Sequence, residues 1–520
     1  MHELYCAGHL IEAAVAYYEA TGKRHFLDVM CRYADHIASI FGPKEGQKRG
    51  YPGHEEIELA LVKLYRVTGQ EKYLSLAQFF IDERGRRPHY FDLEAQARGE
   101  KPGAYRWADH TYTQSHVPVR EQRTAEGHAV RAMYLFCGMT DVAAETGDET
   151  LLEACRRLWD NVTRRRMYVT GGIGSSAYGE RFTCDYDLSP DLAYAETCAA
   201  IGLVFWAHRM LQLERDARYA DVMERALYNG VLSGISLDGK RFFYGNPLEV
   251  EPARHRCRPD LFHPPAVVPV RQEWFGCACC PPNIARLLAS LGQYIYSVGE
   301  EGIYVHLYIG GHAKLNVNQG HTVIEQETRY PWEGRVRLRV LPKEPSAFTI
   351  ALRIPSWAAE DGGAILLRVN GEPLDARALL DRGYAKISRL WRREDEILLE
   401  FPMTIQRLEA HPRVRACHGR IALQRGPLVY CLEEADNRPN LDDIALPVDA
   451  ALEAEFDPTL LGGIVTIRGE GLRSGEEGWD TTLYRPTLRQ HRPVPVTAIP
   501  YYAWANRASG EMLVWIREIG

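Results

Sequence analysis

The run Gly276-Cys277-Ala278-Cys279-Cys280-Pro281-Pro282-Asn283 sets two thiols side by side, and Ala195-Glu196-Thr197-Cys198 sets a carboxylate and a thiol two residues apart. Adjacent cysteines rarely pair with each other, whereas three thiolates and one carboxylate match the tetrahedral, sulfur-tolerant coordination of a zinc ion. Taken singly, each cysteine is better explained as a small buried hydrophobe. The combination of Glu-x-Cys at a helix start with Cys-Cys ahead of a helix-opening Pro-Pro points instead to Glu196, Cys198, Cys279 and Cys280 as one ligand set. Neither half is a Cys-x-x-Cys knuckle; Cys277 is a competing ligand, and Cys184 and Cys257 are close enough in sequence to confuse the count. Such a site is either a structural staple or part of a reaction.

Glu180 closes the glycine-rich stretch Tyr168-Val169-Thr170-Gly171-Gly172-Ile173-Gly174-Ser175-Ser176-Ala177-Tyr178-Gly179-Glu180. The stretch has no Gly-Lys-Ser/Thr ending and no preceding strand of a βαβ unit, so it is not a phosphate cradle. It reads as a loop that lets backbone approach a ligand and presents Glu180 to a pocket. A lone loop glutamate is otherwise simply solvated. His9, His54, His116 and His128 share a context at or near helix starts, where several histidines can line a sugar-sized pocket, although any single one is more often a capping or core residue. His54-Glu55 lacks the second histidine of a zincin motif. Tyr244, in Phe242-Phe243-Tyr244-Gly245, either closes the pocket or packs.

These side chains must be held by something, and the first half of the chain supplies helices. A degenerate repeat recurs in which an apolar helix ends in Thr-Gly and a second amphipathic helix follows: Thr21-Gly22 leads to Phe26-Leu27, Thr68-Gly69 to Tyr73-Leu74, and Thr146-Gly147 to Leu151-Leu152. Glycine just past the last helical residue takes the left-handed C-cap, so each copy is an αα-hairpin. An eroded fourth copy runs from Leu203–Leu213 through Glu214-Arg215-Asp216 to Tyr219-Ala220, and a further helix follows Pro281-Pro282. About nine helices result. Repeating αα-hairpins separated by long loops predict a closed α/α toroid with a central pocket, an open solenoid being the alternative.

After about residue 298 the texture changes to short alternating or apolar runs, among them Ile303–Ile309, Val336–Val340, Phe348–Ile354 and Ile365–Val369, with Asn370-Gly371 reading as a type I′ hairpin turn. This is β-sandwich patterning. A second β-rich segment from about residue 404 holds Ile421–Leu423, Leu428–Tyr430 and Met512–Ile516. The expected domains are therefore 1–297, helical; 298–403, a β-sandwich; and 404–520, a C-terminal β-sandwich.

With 62 Lys and Arg against 69 Asp and Glu, the net charge is −7, which argues against nonspecific binding to nucleic acid or to a membrane surface. No long uninterrupted apolar stretch and no leader-like start are visible, and the 12 cysteines are sparse for 520 residues. The expectation is a protein of the cytoplasm whose partner is neutral or small, with a homodimer as a compatible assembly.

Read together, Gly8-His9-Leu10-Ile11-Glu12-Ala13, Gly53-His54-Glu55-Glu56, Glu126-Gly127-His128-Ala129-Val130, Thr170-Gly171-Gly172-Ile173-Gly174, Tyr194-Ala195-Glu196-Thr197-Cys198 and Cys279-Cys280-Pro281-Pro282-Asn283 resemble glycoside hydrolase family 127, whose described activity is β-L-arabinofuranosidase. The resemblance covers essentially the whole chain. It implies an (α/α)6 barrel followed by β-sandwich domains and a zinc ion held by Glu196, Cys198, Cys279 and Cys280. It also implies a retaining mechanism in which Cys279 matches the nucleophile and Glu180 the acid/base, with His9, His54, His128 and Tyr244 contacting the sugar. A retaining glycosidase needs a nucleophile and a proton donor flanking the scissile bond, here a thiolate in place of the usual carboxylate. The acid role calls for a raised Glu180 pKa. The family pattern carries a longer segment ahead of the part matching Gly8-His9, so the expectation is a chain lacking the first barrel helices. Two alternatives stand beside this reading: the same fold hydrolysing another furanose or unusual plant sugar, and a non-catalytic, zinc-stapled carbohydrate-binding protein. A polysaccharide lyase is disfavoured for want of a cluster that would neutralise a uronate.

Overall fold

The computed structural model describes residues 2–102, 109–262, 267–318, 320–359, 364–474, 482–484, 486 and 491–520. They form a helical N-terminal part and a β-rich C-terminal part, and the chain divides into two compact units. The first comprises Met1–Met167, Ile173–Asp187 and Tyr194–Leu213; the second comprises Tyr168–Gly172, Leu188–Ala193 and Glu214–Gly520. No helix among the described residues is long and apolar enough to cross a membrane.

The first unit is built from α1 (Glu3–Thr21), α2 (His25–Ile40), α3 (Ile57–Thr68), α4 (Glu71–Glu83), α5 (Tyr90–Ala97), α6 (Ala129–Thr146), α7 (Glu149–Arg165) and nearly all of α8 (Thr197–Glu214). The Thr-Gly punctuation read in the sequence ends α1, α3 and α6. Gly22, Gly69 and Gly147 each sit at a φ between 67° and 71°, and their amides donate to the carbonyls of Tyr18, Tyr65 and Ala143. The left-handed C-cap satisfies a terminal carbonyl and turns the chain back. α1 packs on α2, α3 on α4 and α6 on α7 as a result. In the eroded copy, Arg215 takes the left-handed position at φ 51°, and Asp216 caps α9 (Ala217–Arg225) by accepting from the amide of Arg218. α6 is buried along most of its length, Ala129 through Ala143, while α2 and α7 bury one face, as their amphipathic sequences require.

In the second unit a five-stranded and a six-stranded sheet share one apolar core that includes Ile303, Ile324, Leu338, Ile350, Leu352, Trp391 and Ile397. Strand Arg335–Pro342 shows why: Val336, Leu338 and Val340 point inward, and the alternating Arg337 and Arg339 pair outward with Glu327, Glu396, Glu325 and Glu394. Asn370 and Gly371, both at positive φ, join Leu366–Val369 to Glu372–Leu374 as the hairpin reading requires. A ten-stranded sheet follows, and its core includes Ile421, Leu428, Tyr430 and Ile516. The terminal run expected as one strand is two, Met512–Leu513 and Trp515–Ile519; the interruption falls at Val514, whose amide donates to Leu248 O instead of continuing a ladder.

A fully buried arginine ties α9 to the sheets of the second unit. Arg353 Nη1 pairs with Asp221 at 2.7 Å, Nη2 pairs with Glu224, and Nε donates to His306 O at 2.6 Å. Tyr330 Oη and Trp357 Nε1 also donate to Glu224. Breaking a buried pair strands a charge without solvent. Glu224→Gln is therefore expected to lower the unfolding free energy by roughly 3–5 kcal/mol, read as a lower urea midpoint. An unchanged midpoint would show the pair to be energetically neutral.

Candidate active site

Each half of the cysteine-glutamate set lies at the start of a helix. Glu196 stands just before α8, its carbonyl accepting from the amides of Ala199 and Ala200, and Cys198 lies in the first turn. Cys279 caps the helix Cys280–Ser290, with Pro281 and Pro282 in its first turn, where a missing N–H costs nothing. The positive end of a helix favours an ionised carboxylate or thiolate. Among the described residues, Glu196, Cys198, Cys279 and Cys280 form a group whose ligand atoms all lie within 4.8 Å of one another. Glu196, Cys198 and Cys280 are buried and Cys279 is partly exposed. Three soft sulfurs and one carboxylate form a donor set that can hold a metal ion. Cys277, Cys184 and Cys257, the competing candidates, are exposed and outside this group.

The Cys279 sulfur lies 3.1 Å from Tyr244 Oη and 3.8 Å from the Cys280 sulfur. Phe275 meets the Tyr244 ring edge-on with centroids 5.4 Å apart, which holds the phenol in place. As a thiol, Cys279 donates to the phenol oxygen; as a thiolate it would accept the phenol proton.

In the first unit, the glycine-rich loop returns at Glu180–Phe182 and pairs with the turn that starts α6. Ala129 N donates to Glu180 O, Phe182 N donates to Gly127 O, and Arg181 bridges to His128. Gly127, at φ 70°, makes the turn possible, since a Cβ there would stand 1.9 Å from Thr111 O. Glu180 itself adopts φ 51°, a strained conformation for a glutamate and one that strands and helices do not impose. Its carboxylate accepts from His128 Nε2 at 2.9 Å and from Tyr194 Oη at 2.7 Å. The expected rise in its pKa is not observed. Burial alone would raise it, but the hydrogen bond from His128, that from Tyr194 and the charge of Arg131 outweigh burial and bring it down to about 2. The glycine-rich loop read as presenting Glu180 to a pocket, and nothing in it announced these two donors.

His54 and His128 lie with ring centroids 5.7 Å apart. His54 Nδ1 is 2.8 Å from the Glu55 carbonyl and so carries its proton there, leaving Nε2 as an acceptor; His128 Nδ1 faces the Arg131 amide, leaving Nε2–H for Glu180. His128 is thus the N-cap of α6, and His54 is in the loop before α3. His9 departs from the expectation: it lies inside α1, not at its start. Gly8 beside it marks a close approach to Glu56 and Ile57, where a Cβ would come within 2.7–2.8 Å, and is no helix boundary. His9 Nδ1 lies 3.1 Å from Glu56 Oε1, and its ring meets Tyr5 edge-on. His116 lies in the loop ahead of a short 3₁₀ turn.

Burial lowers the His54 imidazole well below the ordinary histidine value, and the Arg131 charge acts in the same direction. The unfolded residue titrates near 6.5, so as pH falls below about 6.5 the unfolded chain takes up this proton first. His54 therefore contributes stability above that pH and forfeits it as pH falls toward its folded value. The melting temperature is expected to drop between pH 6.5 and 5, and less steeply in His54→Gln. Equal slopes in the two proteins would contradict the burial argument.

Tyr194, Arg131 and Glu56 were not singled out from the sequence. Tyr194 was part of a motif, but nothing local marks it as a donor to a loop 14 residues earlier. Arg131 follows His128 by three residues, one helical turn on the same face, which is the signal that could have found it.

Models of three domains match the chain: the GH127 catalytic domain of β-L-arabinofuranosidase at residues 1–293, the GH127 middle domain at 302–403 and the glycoside hydrolase family 127 C-terminal domain at 405–517. The chain is 42% identical to a non-reducing end β-L-arabinofuranosidase of Bifidobacterium longum subsp. longum, an alignment spanning 99% of this chain and 79% of that protein. It superposes on a crystal structure of a GH127 β-L-arabinofuranosidase from Geobacillus stearothermophilus T6 with a TM-score of 0.96 and 57% identity, covering 100% of this chain and 80% of that one. A second solved structure, a GH127 β-arabinofuranosidase, gives a TM-score of 0.88 at 41% identity, covering 100% of this chain and 77% of the other. With a catalytic-domain match over more than half its length, the chain belongs to the GH127 β-L-arabinofuranosidase family and is a glycoside hydrolase.

Proposed function

We propose that this hydrolase releases β-L-arabinofuranose from the non-reducing ends of arabinofuranosides with retention of configuration. The observation that carries the proposal is the group of Glu196, Cys198, Cys279 and Cys280, a metal-ligand set that includes a partly exposed thiol. A zinc ion bound there would hold Cys279 as a thiolate at neutral pH. In the first step the Cys279 sulfur attacks the anomeric carbon, and Glu180 protonates the departing oxygen. In the second, Glu180 takes a proton from water, which attacks the same carbon and frees the sulfur.

Glu180 is suited as it stands to the second step, since His128 and Tyr194 hold it ionised. For the first it must gain a proton, which requires a bound sugar to take over a hydrogen bond that one of those donors now gives to it. His9, His54, His128 and Tyr244 would contact the sugar. The repeated αα-hairpins support an (α/α)6 toroid over 1–297, and the strand patterning supports β-sandwich domains over 298–403 and 404–520.

The test is hydrolysis of an aryl β-L-arabinofuranoside, with the first-formed sugar followed by NMR. β-L-Arabinofuranose is expected as the first product. An α product would overturn the retaining mechanism, and turnover of other furanosides only would overturn the sugar assignment. Failure of the metal-loaded protein to hydrolyse any glycoside in a panel would favour the stapled binding protein.

A further inference from the structure

Two buried arginines grip consecutive carbonyls of the turn that carries His54. Arg84 Nη2 donates to Pro52 O at 2.9 Å, and Arg131 Nη1 donates to Gly53 O. The two differ in how their charge is met. Arg84 is fully buried and pairs with Glu55 at 2.8 Å and Glu58 at 3.1 Å, so it is neutralised and its work is structural. Arg131 is 3% exposed and makes no ion pair among the described residues; its Nε, like that of Arg84, is buried without a hydrogen-bond partner there. Its guanidinium lies over the Tyr112 ring at 4.6 Å. A buried cation with no ion-pair partner in contact is costly unless a fixed acceptor and an aromatic face meet it.

We propose that Arg131 is a positioning residue for the sugar site. It grows from α6 one turn after His128, the N-cap whose ring bonds to Glu180. From there it reaches across to the Gly53 carbonyl immediately before His54. The link sets the spacing between the two histidines, with Tyr112 as a backstop that meets both the guanidinium and, edge-on, the His128 ring. A planar guanidinium suits the task because it stacks and donates at the same time. Loosening the link lets the His54 turn drift from His128, which weakens sugar binding and leaves the bonds from His128 and Tyr194 to Glu180 in place.

The inference rests on the arabinofuranosidase reading, and the experiment separates the two. Wild type, Arg131→Met and Arg131→Lys are assayed on 4-nitrophenyl β-L-arabinofuranoside, and L-arabinose binding is measured by calorimetry. The Met variant keeps the length without charge or donor. It is expected to raise KM at least tenfold and weaken L-arabinose binding by a similar factor, and any change in kcat is read against Lys, which keeps the charge that acts on Glu180. Lys, which keeps the charge and a donor that can reach Gly53 O, is expected to recover most of the KM. An unchanged KM in the folded Met variant overturns the proposal. So does a parallel loss of kcat and melting temperature that Lys does not rescue, which would make Arg131 merely structural. Should the Met variant fail to fold, Arg131→Gln, too short for the link, is read the same way. If the wild type itself hydrolyses no arabinofuranoside, the functional reading falls and Arg131 is judged on L-arabinose binding alone.

Discussion

Cys279→Ser is expected to lose activity on an aryl β-L-arabinofuranoside by a factor of at least about 10⁴ in kcat/KM, the scale on which enzymes lose a covalent nucleophile. A serine hydroxyl is not ionised near neutrality, and its oxygen is a harder ligand than sulfur, so the variant loses both the attacking atom and the means of activating it. Because Cys279 belongs to the four-residue ligand group, metal content must be measured on the same samples. Cys280→Ser provides the contrast. Cys280 is fully buried, so its replacement is expected to lower metal content and stability, with activity falling in proportion to the metal lost. Full activity in Cys279→Ser would remove it as nucleophile. Loss of activity strictly proportional to metal in both variants would reduce Cys279 to a ligand like the others.

Glu180→Gln is expected to cost a factor of about 10²–10⁴ on substrates with a poor leaving group, the usual worth of a positioned acid/base. On a nitrophenyl glycoside, whose leaving group departs without protonation, the first step should be spared and the second should become limiting. Azide, which needs no base to attack, is then expected to restore turnover in Glu180→Gln and not in Cys279→Ser. The amide oxygen can still accept from His128 Nε2, and the amide NH2 in place of Oε1 can donate to Tyr194 Oη, which turns from donor to acceptor, so the loop geometry is expected to persist and the loss to be chemical. Equal losses on good and poor leaving groups, with no azide effect, would refute the assignment.

Much of the framework was legible because it is local. Glycine C-caps at Gly22, Gly69 and Gly147 and the hairpin turn at Asn370-Gly371 depend on backbone conformations that the residue type alone selects. The in-out alternation along Arg335–Pro342 follows from the two-residue period of a strand. The ligand residues were legible for a different reason: neighbouring thiols with a carboxylate two residues from a third thiol are an unusual conjunction, and each pair sits at a helix start that the surrounding residues announce.

The sequence by itself therefore determined the element types, the helical-then-β order, the candidate donor group of three thiols and a carboxylate and, through its motifs, the family. Tertiary structure alone decided the electrostatic state of the site. The acid role expected of Glu180 calls for a raised pKa, yet His128, 52 residues away, and Tyr194, 14 residues away, both donate to its carboxylate and favour the ionised form. Gly8, beside His9 within a helix, admits the start of a different helix, and Arg131 joins α6 to a turn that lies far away along the chain. Propensity and capping act within a turn or two of a residue and leave their mark on the local sequence. Hydrogen bonds and charges act across whatever distance the fold closes, so their effect on a carboxyl or an imidazole is set only once those partners have been brought together.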